Sequence, residues 1–231
     1  MRFQYVSNAG IVIEVGEKKI GIDCFAKDDT GLYQDTPQHI LEELTLDYLI
    51  ITHEHADHFC AEYVKEAQIR NPDMQIYTTG ATAAFLNGNV HIVKEGTTLY
   101  IEEIQICFRE TLHEGEMYEN VINLTLYIKQ EDKRIVFTGD ARPCKELFER
   151  ISKWSKDVTW FFAPFPYVGL RSNRKLIDEF LRVDNVFVLH QPRKEADVQN
   201  WVKNTKLVCE QTKDGLPKPI FPENLGEWYC M

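Results

Sequence analysis

The 231-residue chain is 44% hydrophobic, 27% charged and 12% aromatic, an ordinary globular composition with room for one sizeable core. Its formal net charge of −10 provides no positive field for non-specific nucleic-acid binding, so nucleic acid is not expected as a partner. No uninterrupted apolar run approaches the roughly 18 residues that cross a bilayer, and the start at Met1–Tyr5 lacks a signal-peptide pattern, so a soluble cytoplasmic protein is expected.

In chain order, Phe3–Val6 and Gly10–Val15 alternate as strands do, Gly16–Lys19 is a polar turn, and Lys19–Asp23 returns as a third strand of a meander. Asp28–Gln38, rich in Asp, Thr, Gly and Pro, reads as a loop and Gln38–Leu44 as a short helix or turn. Leu46–Thr52 is a continuous apolar run of strand length, the pattern of a strand buried on both faces, and it leads directly into His53–His58. Ala61–Ile69 predicts a helix ended by Asn71-Pro72, Gln75–Thr78 a strand, and Gly80–Leu86 another helix. Val90–Phe108 predicts successive strands about a Gly96-Thr97 turn. Val121–Lys129 and Arg134–Thr138 predict a hairpin whose second strand ends in Gly139-Asp140. The last third alternates: strand Trp160–Phe165, helix Asn173–Arg182, strand Val186–Leu189, helix Ala196–Thr205. No repeat or linker divides the chain, so 1–231 reads as one domain, most simply two mixed sheets face to face with helices outside. The six cysteines contain no C-x-x-C pair and read as free thiols.

The chemistry concentrates in Thr52-His53-Glu54-His55-Ala56-Asp57-His58, where three of the seven histidines fall within six residues just after a buried strand. Imidazole nitrogen and carboxylate oxygen are the usual donors to zinc and similar ions. In an extended chain His53 and His55 share a side, and a turn after Ala56 would aim Asp57 and His58 at a neighbouring point. Four such close donors cannot all reach one tetrahedral ion without strain, so two metals are expected. Further donors should then stand at other strand ends: His113 after Ile104–Leu112, Asp140 after Ile135–Gly139, and His190 after Val186–Leu189. His39 and His91 lack this setting and read as surface or structural residues.

Glu54 reads as a supporting or surface group and not as a base. Tyr167, Arg193 and Lys194 are the candidates for contact with a substrate phosphate or carboxylate, with Arg142 in the same position. The aromatic stretch from Trp154 to Phe165 reads as core. Trp228-Tyr229 would pack back on the body or support a homo-oligomer.

His53-x-His55-x-Asp57-His58 followed by His113, Asp140 and His190 resembles the metallo-β-lactamase-fold superfamily, over most of the chain as far as His190. The resemblance implies an α+β fold, a four-layer αββα sandwich of two mixed β-sheets with helices on the outer faces and the site at one edge. It implies two divalent ions, Zn2+ before Mn2+ or Fe. His53, His55 and His113 would hold one and Asp57, His58 and His190 the other, with Asp140 and a hydroxide bridging. Asn8-Ala9-Gly10, Ile20–Asp23, Phe165–Gly169 and Leu189–Pro192 are similar to compact cytoplasmic members such as the ascorbate-phosphate lactonase-like group. The activity implied is hydrolysis of a small ester, lactone, thioester or amide, with Asp57 as the catalytic carboxylate that orients the nucleophile or receives its proton. The alternatives are a phosphodiesterase acting on a small phosphorylated or nucleotide substrate, which should line its cleft with cations, a non-hydrolytic iron-binding redox protein, and a metal-holding binding protein without turnover.

Overall fold

In the computed structural model, which describes residues 1–231, the opening segments form the expected meander: β1 (Arg2–Tyr5), β2 (Ile11–Val15) and β3 (Lys18–Ile22). All of β2 except Glu14 is buried, so this central strand is covered on both faces and does not alternate. Then come α1 (Gln38–Glu43), β4 (Tyr48–Ile51), α2 (Ala61–Arg70), β5 (Gln75–Thr78), α3 (Gly80–Ala83) and β6 (Val90–Ile92). Strands β3 to β6 run parallel, because helical crossovers return the chain to the same end of the sheet. The helix expected over Gly80–Leu86 is only one turn long. Thr79 caps its start by accepting the Thr82 N–H, and Gly88, at φ +83°, lies just beyond the chain's turn.

The later residues give β7 (Thr98–Ile101), β8 (Ile104–Leu112), β9 (Ile122–Gln130), β10 (Lys133–Phe137), α4 (Lys145–Trp154), β11 (Asp157–Pro164), α5 (Phe165–Gly169), α6 (Arg171–Phe180), β12 (Arg182–Leu189) and α7 (Trp201–Gln211). The second sheet runs β12-β11-β10-β9-β8-β7, antiparallel from β7 to β10 and parallel from β10 to β12. In β8, buried Ile104, Ile106 and Phe108 alternate with the partly exposed Gln105, Cys107 and Arg109. The last strand, β13 (Trp228–Cys230), pairs antiparallel with β1 and completes a first sheet in the order β13-β1-β2-β3-β4-β5-β6.

The chain divides into two compact units, Met1–Lys94 with Pro222–Met231, and Glu95–Phe221. Each has its own apolar cluster, with Phe25, Leu49, Ile51, Val64 and Ile76 at the heart of the first and Phe148, Phe161, Tyr167, Ile177 and Val186 of the second. The fold class is α+β, as expected.

Several boundaries moved. Helix α4 was not anticipated, although Leu147, Phe148 and Ile151 bury one stripe at helical spacing. Phe165 opens α5 and does not close a strand, since Pro166 is placed well in a first helical turn. The helix expected at Ala196–Thr205 begins at Trp201, because the Asp197 carboxylate accepts the N–H groups of Trp201 and Val202 and so caps that point. All six cysteines are free, and no helix is long and apolar enough to cross a membrane.

Candidate metal centre

In the first unit the histidine-rich segment leaves β4 at Thr52 and is anchored from beneath by Asp23, a fully buried residue at the end of β3. The Asp23 carboxylate accepts the Thr52 N–H at 2.8 Å and the Thr52 hydroxyl at 2.7 Å. It also lies 2.8 Å from Nδ1 of His58. A carboxylate only accepts, so His58 carries its proton on Nδ1 and presents Nε2, which stands 3.9 Å from Asp57 Oδ2. The same logic assigns His53. Thr52 has one hydroxyl proton and gives it to Asp23, so its oxygen accepts from His53 Nδ1 at 3.0 Å, leaving Nε2 as the lone-pair nitrogen.

The turn expected after Ala56 forms, with the His58 and Phe59 N–H groups bonding to the His55 carbonyl at 3.0 and 2.8 Å. It brings the rings together: His53 lies 4.1 Å from His58 and 4.7 Å from His55 between centroids. Asp57 Oδ2 accepts from the Asn8 amide at 3.2 Å. Glu54, between the two histidines, has an enclosed carboxylate oxygen, Oε2, that makes no hydrogen bond.

In the second unit Asp140 follows β10 through Gly139, whose φ of 52° is cheap for glycine. Its backbone N–H donates to Asn123 Oδ1 at 2.9 Å, and its carbonyl accepts the Glu114 N–H at 2.8 Å. Its two carboxylate oxygens meet a histidine each, Oδ2 with His113 Nε2 at 3.5 Å and Oδ1 with His190 Nε2 at 3.1 Å. The Nδ1 atom of His113 bonds to the Glu114 carbonyl at 2.5 Å, which fixes Nε2 as the nitrogen facing the acid. His190 sits at φ 61°, a left-handed conformation that a non-glycine residue holds only where its surroundings demand it.

The seven sequence candidates thus fall into two sets, His53, His55, Asp57 and His58 in one unit and His113, Asp140 and His190 in the other. Within each set nitrogens and carboxylate oxygens lie close together, and outer hydrogen bonds orient the rings of His53, His58 and His113. That donor chemistry fits zinc, manganese or iron.

The substrate candidates fare differently. Tyr167 is 1% exposed, its hydroxyl donates to the Ala141 carbonyl, and burial with the Asp140 charge holds its pKa far above the ordinary phenol value. It braces the residue beside Asp140. Arg193 is half-buried and Lys194 exposed. Arg142 is partly exposed, its Nε 4.0 Å from Glu114 Oε2. His39 and His91 are exposed, as expected.

Two positioning residues escaped the sequence reading. Asp23 was visible only as an acid closing an apolar strand. Asn123, fully buried, also donates from Nδ2 to the Thr138 carbonyl and the Thr111 hydroxyl, and nothing local distinguishes it from a surface asparagine.

The sequence profile of a family described as a beta-lactamase superfamily domain matches residues 2–152. No curated protein sequence matches the chain. Among solved structures, the chain is similar to Igni18, a metallo hydrolase from the archaeon Ignicoccus hospitalis KIN4/I, with a TM-score of 0.71 and 17% identity over 99% of this chain and 97% of that one. An isothiocyanate hydrolase from Delia radicum gut bacteria gives 0.73 and 16% over 100% and 99%. CmlA, a diiron β-hydroxylase from Streptomyces venezuelae, gives 0.69 and 13% over all of this chain but 54% of its own length. At these identities the structural likeness speaks to fold alone.

Proposed function

Because the chain belongs to the β-lactamase superfamily, we propose that it is a metal-dependent hydrolase of small molecules, with both units acting as a single hydrolase domain over residues 1–231. The donor sets of the two units would serve one dinuclear centre. His53, His55 and His113 would hold one ion, Asp57, His58 and His190 the other, and Asp140 would bridge. The observation that carries this reading is the Asp23-Thr52 array, which turns the lone-pair nitrogens of two buried histidines outward in the manner of supported metal ligands. Seven donors are the number that two five-coordinate ions would take if they shared one carboxylate and one water. Zinc suits the histidine-rich set best.

A divalent pair bound there would supply Lewis-acid polarisation and lower the pKa of water towards about 7. The protein's part is placement. Asp23 holds His58 and Thr52, Asn8 steadies Asp57, and Asn123 fixes the backbone at Asp140. The Asp57 carboxylate would orient the attacking water and receive its proton. The substrates that this site suits are a small ester, lactone, thioester or amide, the lactone fitting the subgroup resemblance. The similarity to a diiron hydroxylase favours, as a second reading, iron and redox chemistry at the same donors.

Metal analysis of protein isolated without chelator, followed by ester, lactone, thioester and phosphodiester substrates with added zinc or manganese, tests the proposal. About two ions per chain are expected, with a loss of activity of 100-fold or more in Asp57→Ala and His55→Ala. Full metal content and full activity in both variants would refute it. Stoichiometric iron without hydrolysis would favour the redox reading.

A further inference from the structure

The unit Glu95–Phe221 carries a concave site away from its candidate metal donors, on the face of its sheet where α4 packs. Arg109 of β8, Tyr127 of β9 and Arg150, Lys153 and Trp154 of α4 line a recess of about 470 Å³, within the size range of small-ligand pockets. Tyr127 pairs with Cys107, six residues before His113, so it lies about 20 Å along β8 from that histidine.

The construction of the recess is unlike ordinary surface. Tyr127 is only 2% exposed, and its enclosed hydroxyl has no hydrogen-bond partner. Its ring is covered by Trp154 at 5.1 Å between centroids and by the Arg109 guanidinium at 5.7 Å. Glu95 holds both arginines in place, meeting Arg109 Nη1 at 3.0 Å and Arg150 Nη2 at 3.0 Å, and Arg150 Nη1 donates to the Glu110 carbonyl at 3.0 Å. The exposed Lys153 forms no ion pair. Arg109, Arg150 and Lys153 thus line the recess, and the carboxylate that pairs with the two arginines is that of Glu95, in a chain whose net charge is −10. Burial pushes the Tyr127 phenol up to about 12, against the pull of Arg150 and Arg109, so at neutral pH it has a proton to donate.

We propose that this recess binds the oxyanion, phosphate or carboxylate, of a small molecule through Arg109, Arg150, Lys153 and the Tyr127 hydroxyl. Pre-positioned guanidinium groups suit such a ligand because they present parallel N–H donors, and the orphaned hydroxyl would gain the acceptor it lacks. The site is separate from the proposed metal centre and does not depend on it.

The test is an NMR titration of ¹⁵N-labelled, metal-replete protein with inorganic phosphate and, separately, malonate. It follows the Nε–H signals of Arg109 and Arg150 and the Trp154 indole N–H. Saturable shifts with a Kd of about 1 mM or tighter are expected for at least one anion, and the tighter of the two identifies the ligand class. Lys153→Gln and Tyr127→Phe should each weaken binding roughly 5-fold or more while leaving the thermal midpoint close to that of the parent. His55→Ala should bind as the parent does. Absence of saturable shifts with both anions, undiminished binding in both recess variants, or loss of binding in His55→Ala would each overturn the proposal.

Discussion

A single buried carboxylate organises the histidine-rich segment. Asp23 reaches residues 29 and 35 positions away, and its three hydrogen bonds decide which nitrogen His53 and His58 turn outward. Replacing Asp23 by Ala should therefore lower metal affinity about 10- to 100-fold without removing a ligand, as measured by competition with a chromophoric chelator. An unchanged affinity would reduce Asp23 to a structural role. Tyr167 makes the complementary point. The sequence offered it as a substrate contact, but its hydroxyl is held by the Ala141 carbonyl beside Asp140. A tyrosine after a strand looks the same in either role until the acceptor across the fold is known.

At the scale of elements, apolar runs were informative and caps were not. Strand β4 and the strands leading to His113, Asp140 and His190 stood out because several adjacent apolar residues must be buried together. Helix α4 escaped, although Phe148 is fully buried and packs near Phe161 and Tyr167 at 6.4 and 6.2 Å between centroids. Phe148→Ala should cost about 3–5 kcal/mol of unfolding free energy by denaturant titration. The start of α7 depends on one side chain, so Asp197→Ala should cost about 1 kcal/mol in the same experiment. A null effect of the second would mean that packing and not the cap sets that boundary.

For the molecule as a whole, stability should fall at both ends of the pH scale. Burial raises the pKa of Tyr5, Tyr127 and Tyr167 above the ordinary phenol value of 10.0. The folded state thus binds more protons than the unfolded chain once pH passes about 10, and stability is lost as pH rises from there. For Glu95, burial pushes the carboxyl up, but the Glu110 N–H, Arg109 and Arg150 together hold it below the ordinary value, and Asp47 with Lys18 and the Lys19 N–H behaves likewise. Their contribution is present above about pH 4 and is lost as pH falls below it. Thermal midpoints measured from pH 3 to 11 should trace both losses. Chelator should lower the midpoint at neutral pH and excess zinc restore it, because an ion held only by the folded chain stabilises that state.

The sequence by itself determined the candidate donor types and their strand-end positions, because a side chain's chemistry and a buried strand's apolar run are local properties. It also carried the expectation of two mixed sheets with helices, through the number and order of those runs. Only the tertiary structure decided which imidazole nitrogen faces outward, that Asn123 fixes the backbone of Asp140 across 17 residues, and that β13 closes on β1 from the far end of the chain. These are pairings between distant segments. Each depends on a partner that no local pattern names, so each acquires its meaning only when distant segments meet within one sheet.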